Sequence, residues 1–144
     1  MRRALIGVAV VVVSLVAVFA ASARTTAATQ LEATLNGKAE GAPKTNKGKA
    51  EVTLNAKTGK VCWDFKLAKI DGKPTQAHIH KGKAGVAGAV VVPLCGPCRN
   101  GQNARTSITH DVAEALETGG YYVNVHTAKN AGGEIRGQLK LVGK

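Results

Sequence analysis

With 144 residues, the chain is long enough for one domain and too short for two comfortable ones. Its 20 Lys and Arg outweigh 9 Asp and Glu for a net charge of +11, and aromatic residues make up only 3%. Such a surface favours anionic partners, while the scarcity of stacking rings beside the lysines argues against nucleic acid.

Arg2 and Arg3 form a positive start, Ala4 to Ala20 is apolar except at Gly7 and Ser14, and Ala21-Ser22-Ala23 is a small-x-small site. This pattern predicts a secretory signal peptide over residues 1–23, cleaved after Ala23. An uncleaved anchor is the alternative, because the apolar run reaches the ~17-residue minimum for a spanning helix. Cleavage leaves 18 basic against 9 acidic residues, hence a basic exported protein of the periplasm, cell surface or medium with no stable membrane span. Anionic envelope polymers or an extracellular protein are its expected partners.

Residues 24–29 read as a disordered leader and 30–142 as the folded domain. Leu31, Ala33 and Leu35 share one face of a short strand, and Asn36 to Lys49 reads as a loop. Val52 and Leu54 mark a second strand. Val61, Trp63, Phe65 and Leu67 give the clearest period-2 face, with Cys62, Asp64 and Lys66 opposite. Gln76 to Lys81 is a strand, the glycine-rich loop KGKAGVAG follows, and then AVVVPL. The loop lacks the Gly-Lys-Ser/Thr ending of a phosphate cradle and leads into a strand, so it is a connection. CGPCRNGQN is turn-rich. One short helix is expected near 110–118, with Thr109 or Asp111 as its cap and Gly119-Gly120 as its stop. Strands over 121–127 and 134–142 close the chain. Seven or eight short strands with turns between them predict an all-β antiparallel sandwich or Greek-key barrel.

Three of the four histidines lie in AHIH and VNVHT. His78 and His80 are two apart on one strand face, with Ile79 directed to the core. On the later strand, Tyr122, Asn124 and His126 share the face opposite Val123 and Val125. If the strands are neighbours, His78, His80 and His126 form a three-imidazole set able to hold copper or zinc. A surface recognition patch and plain solvated side chains are the alternatives. His110 is a conceivable fourth ligand. Glu134 and Arg136 share a face on the last strand and, with Tyr122 and Asn124, make a candidate outward-facing binding patch.

AHIHKGKAGVAGAVVVPL and YYVNVHTAKNAGGEIRGQL together resemble the CHRD (chordin) domain family. The recurrent positions fall on His78, His80, Gly82, Gly85, Gly88, Asn124, His126, Thr127, Gly133, Glu134, Arg136 and Gly137. Ala131-Gly132 stands where many relatives have a proline turn. The resemblance implies an all-β domain of secreted or cell-surface proteins, of the small exported kind in bacteria. A weaker likeness is to the copper half of Cu/Zn superoxide dismutase. With no bridging histidine between Lys81 and Thr109 and no His/Asp-rich loop, it implies one metal at most.

Cys95-Gly96-Pro97-Cys98 carries the letters of a thioredoxin active site without the strand-to-helix turn that lowers a thiol pKa. Closing Cys62 onto Cys95 or Cys98 removes more chain entropy (~3.7 kcal/mol) than closing Cys95 onto Cys98 (~1.9 kcal/mol), so the longer loop is the expected disulfide. Ser107 is the one serine beyond the signal, and no nucleophile elbow accompanies it. The sequence therefore predicts a non-enzymatic binding or structural module of the cell envelope. A single-metal protein, redox-active or not, is the alternative, and a thiol enzyme a third reading.

Overall fold

The computed structural model describes residues 28–99, 101 and 103–143. The expected signal peptide over 1–23 lies outside the described residues, as does the leader up to Ala27. Thr29, placed in that leader by sequence, instead opens the first strand.

Among the described residues, nine strands and one α-helix follow one another: β1 (Thr29–Asn36), β2 (Lys47–Asn55), β3 (Lys60–Lys69), β4 (Pro74–Lys81), β5 (Val90–Cys95), β6 (Asn103–Ser107), α1 (His110–Glu117), β7 (Tyr121–Thr127), β8 (Ile135–Gln138) and β9 (Lys140–Leu141). A single 3-10 turn, Lys38–Glu40, lies between β1 and β2. The strands form one sheet in the order β5-β4-β7-β8-β1-β2-β3-β6, with β9 against β1, and every pairing is antiparallel. The sheet coils into a nearly closed barrel, which meets the all-β expectation.

Period-2 alternation sets which face is inside. Leu31, Leu35, Val52, Leu54, Val61, Phe65, Ile79, Val123, Val125 and Ile135 are all buried in one core cluster. Trp63 is also in it, and Ala113 and Leu116 of α1 close over it. At about 25 cal/mol per Å² of apolar surface removed from water, this shared interior is the main favourable term in folding.

Three departures from the sequence reading have local causes. β2 starts at Lys47, because the expected loop is shortened by the 3-10 turn and Gly37 N donates to Asn46 O. The sequence reading ends its turn-rich stretch at Asn103 and assigns no element to 104–107, yet β6 pairs with β3 from Lys60↔Ser107 to Asp64↔Asn103, a case of tertiary pairing overriding weak strand propensity. The last strand is interrupted at Leu139, whose N–H bonds Tyr121 O, so β8 pairs with β7 and β9 with β1.

The helix begins as expected. Thr109 is its N-cap and accepts from Val112 N at 3.4 Å. That is a long, exposed hydrogen bond, so Thr109→Ala should cost only ~0.5 kcal/mol, the low end for caps. Urea unfolding of the variant checks this, and a loss above 2 kcal/mol would mean that Thr109 does more than cap.

The disulfide expectation is corrected. Cys95 is bonded to Cys98, with Cα atoms 5.2 Å apart, and Cys62 is a free, exposed thiol. Alternation sends Val61 and Trp63 inward and Cys62 outward, opposite Thr53 on β2 and Arg105 on β6. Cys95 ends β5, the other edge of the sheet. The entropy argument ranked loop lengths correctly, but it ignores facing: Cys62 points outward while Cys98 is buried in the core, and a disulfide needs the Cβ vectors to point toward each other.

Candidate metal centre

The outer face of β4, β7 and β8 carries a grid of polar side chains set by register. His78 lies opposite Asn124, and Asn124 opposite Arg136. His80 lies opposite Tyr122, and Tyr122 opposite Gln138. Gln76 lies opposite His126. Since β4 and β7 are hydrogen-bonded neighbours, the three imidazoles meet. Ring centroids are 5.0 Å apart for His78–His126, 5.7 Å for His78–His80 and 6.4 Å for His80–His126. One nitrogen from each ring lies within 4.8 Å of the others.

Backbone carbonyls fix which nitrogens face one another. His80 Nδ1 bonds Gly88 O at 2.9 Å, and His126 Nδ1 bonds Ala131 O at 2.9 Å. A carbonyl can only accept, so each Nδ1 carries a proton, and in the neutral ring the lone pair is on Nε2. His126 Nε2 lies 3.1 Å from His78 Nδ1. His80 Nε2 is buried without a partner, and a buried nitrogen in that state lacks a stabilising contact that a cation would supply. Zinc held at ~2.0–2.1 Å requires ligand nitrogens roughly 3–3.5 Å apart. The His78–His126 pair already has that spacing, and a ring nitrogen of His80 lies within 4.8 Å of both. Burial, and then the neighbouring His126 and His80, hold His78 below the ordinary imidazole value, which keeps it neutral and able to ligate.

A second layer supports the rings. His80 stacks on Tyr122 with centroids 4.9 Å apart and planes 9° from parallel. Arg136 places its guanidinium 3.7 Å from the Tyr122 centroid, in cation–π contact. The segment between β4 and β5 folds over this stack as a strap. Gly88 N donates to Tyr122 Oη, Arg136 Nη2 donates to Val86 O at 2.9 Å, and Gln138 reaches Gly82 or Ala84.

The strap corrects the expectation of an exposed patch. Tyr122, Asn124, Glu134 and Arg136 do face away from the core, but all four are buried. Tyr122 and Arg136 lie under the strap. Arg136 also pairs with Glu40 of the 3-10 turn at 3.3 Å. Glu134 has no exposed surface and accepts from Asn46 Nδ2, Asp71 N, Thr127 Oγ1 and Asn130 Nδ2. It joins three loops and presents nothing to a partner. His110 stands apart on α1, bonding Ala56 O and pairing with Glu114. Sequence reasoning missed Ala131, Asn46 and Asn130, which act through a backbone carbonyl or side-chain amides. It had Gly88 as a recurrent position of the resemblance, without the role its carbonyl plays toward His80.

A model of the CHRD domain family matches residues 31–139. The chain belongs to the CHRD domain family. No curated protein and no solved structure shows significant similarity to it. The matched span holds all three clustered histidines, the strap and Glu134, so the described site is built entirely within the CHRD domain.

Proposed function

We propose that this CHRD domain is a non-enzymatic binding module of the exported compartment, and that its bound group is one transition-metal ion. The observation that carries the metal assignment is the convergence of His78, His80 and His126, with carbonyl-bonded Nδ1 atoms turning Nε2 of His80 and of His126 toward the cluster and Nε2 of His80 buried without a partner. Carbonyl-oriented imidazoles are the usual outer support of a metal centre. An all-nitrogen set suits zinc or copper, and three protein ligands leave a position for water or an external donor. The signal-peptide pattern and the disulfide support export. The basic surface suits anionic envelope polymers, with an extracellular protein as the other partner class. Nothing in the site supplies a nucleophile with its base, which favours binding over catalysis.

Calorimetric titration with Zn²⁺ and Cu²⁺ tests the assignment. Wild type should take up one equivalent. His80→Ala should lose more affinity than the ~10- to 100-fold that removal of an outer partner costs, while His110→Ala should match wild type. Equal, weak uptake by wild type and His80→Ala would sink the metal assignment and leave the binding-module reading to stand without it.

A further inference from the structure

A second cavity lies away from the histidines. It has a volume of about 890 Å³ and opens where β3 runs out and the chain turns into β4. That size falls within the ~300–1,000 Å³ of small-molecule sites, which are mostly apolar with a few placed polar groups. Leu67, Ile70, Pro74, Pro97 and Cys98 contribute apolar wall. The Cys95–Cys98 link ties the Pro97 side of the wall to the end of β5. Two lysines, Lys69 and Lys73, line the same cavity and are exposed. Neither takes part in the ion pairs found among the described residues. The nearby acid, Asp71, is already bound to Lys129 at 2.9 Å. The groove thus joins an apolar floor to a rim on which Lys69 and Lys73 stand outside those ion pairs. No histidine of the metal centre lines it.

We propose that this groove binds a free single-chain anionic amphiphile, a fatty-acid carboxylate, with its acyl chain along Leu67, Ile70 and Pro97 and its head group between Lys69 and Lys73. The apolar wall excludes a small hydrophilic anion as the preferred occupant, because such an ion gains nothing from it. The lysines exclude a cationic amphiphile, which they repel. Chain length then sets affinity, since each buried methylene contributes a constant increment.

The full exported chain is titrated with dodecanoate and followed by amide NMR. Shifts should be confined to residues 67–75 and 97–99. Decanoate should bind about 15-fold more weakly, following ~0.8 kcal/mol per methylene. Dodecyltrimethylammonium should not bind. The double variant Lys69→Glu/Lys73→Glu should keep the dispersed spectrum and lose roughly five- to tenfold in affinity, the scale of two exposed ion pairs. Ile70→Glu should abolish binding, and if that variant fails to fold, the lysine variant still decides the charge requirement. Chain-length independence, equal binding of the cationic amphiphile, or shifts outside the groove would overturn the proposal. So would association with phosphatidylglycerol vesicles without any response to dodecanoate, which would assign the lysines to a membrane surface.

Discussion

Replacing Glu134 by Gln should unfold the domain more readily by ~3 kcal/mol, despite the change of a single atom. Oε1 accepts from Asn46 Nδ2 and Asp71 N, and Oε2 from Thr127 Oγ1 and Asn130 Nδ2. Turned one way, the glutamine NH₂ meets the Asn46 amide and the Asp71 N–H; turned the other, it meets the Asn130 amide and the Thr127 hydroxyl, which can rotate to accept. Losing the acceptor strands buried donors at ~1–3 kcal/mol apiece, part of which relaxation and water at the half-buried Asn130 recover. Tm should fall on the order of 10 °C for a domain of this size. The effect is pH-dependent. Burial pushes the Glu134 carboxyl up, but the hydrogen bonds from Asn130, Asp71, Thr127 and Asn46 outweigh it and leave the group below its ordinary value of 4.5. A lowered folded-state pKa contributes stability above the unfolded value, and this is lost as pH falls through the folded value. The gap between wild type and Glu134→Gln should therefore be widest above about pH 5 and close on acidification. Urea unfolding of both proteins across that range measures it. A variant within 0.5 kcal/mol of wild type at neutral pH would show that the ionised carboxylate does not hold the three loops.

Gly88→Ala should have the second large effect, and it should reach the histidines. A Cβ at position 88 would sit 1.5 Å from Lys81 O and 2.7 Å from its carbonyl carbon, a distance no backbone tolerates. The strap must lift from β4, which breaks the bonds from Gly88 to His80 and Tyr122. The expected loss is ~2–3 kcal/mol, in the upper range for single substitutions. His80 would then be free to change tautomer and swing, so metal affinity should fall about 10- to 100-fold, as when an outer partner is removed. Hydrogen exchange over residues 81–89 should accelerate. Gly132→Ala is the control, since a Cβ there meets nothing within 4 Å. Equal stability and exchange in the two variants would mean that the strap does not clamp the site.

How much of this was legible in the sequence follows the range of the interactions. Alternation alone identified Val61, Trp63 and Phe65 as core, and put His78 and His80 on the opposite face from Ile79, because a two-residue period is a local property of a strand. Thr109 and the paired glycines located α1 for the same reason. What failed was non-local. Tyr122, Asn124 and Arg136 do point outward, but alternation cannot reveal that a strap covers Tyr122 and Arg136. Glu134 looked like a surface acid since none of its side-chain donors, Asn46, Thr127 and Asn130, marks itself as a carboxylate partner. Cys62 was paired by loop entropy, a quantity that ignores the direction of the side chain. The neighbouring of β4 and β7, on which the histidine cluster depends, came from hydrogen bonding between segments 40 residues and more apart.

The strand order has a kinetic consequence. Among the described residues, β8 is the sole strand that pairs with both halves of the sheet, β5-β4-β7 on one side and β1-β2-β3-β6 on the other, and it follows all seven of them in the chain. β1 cannot be joined to β7 until β8 has been made, so a growing chain holds two unjoined half-sheets. Topologies dominated by such distant pairings fold slowly, in about milliseconds to seconds. The two half-sheets thus stay apart until β8 has been made, and for that time the strand edges that β8 will join are exposed to other chains.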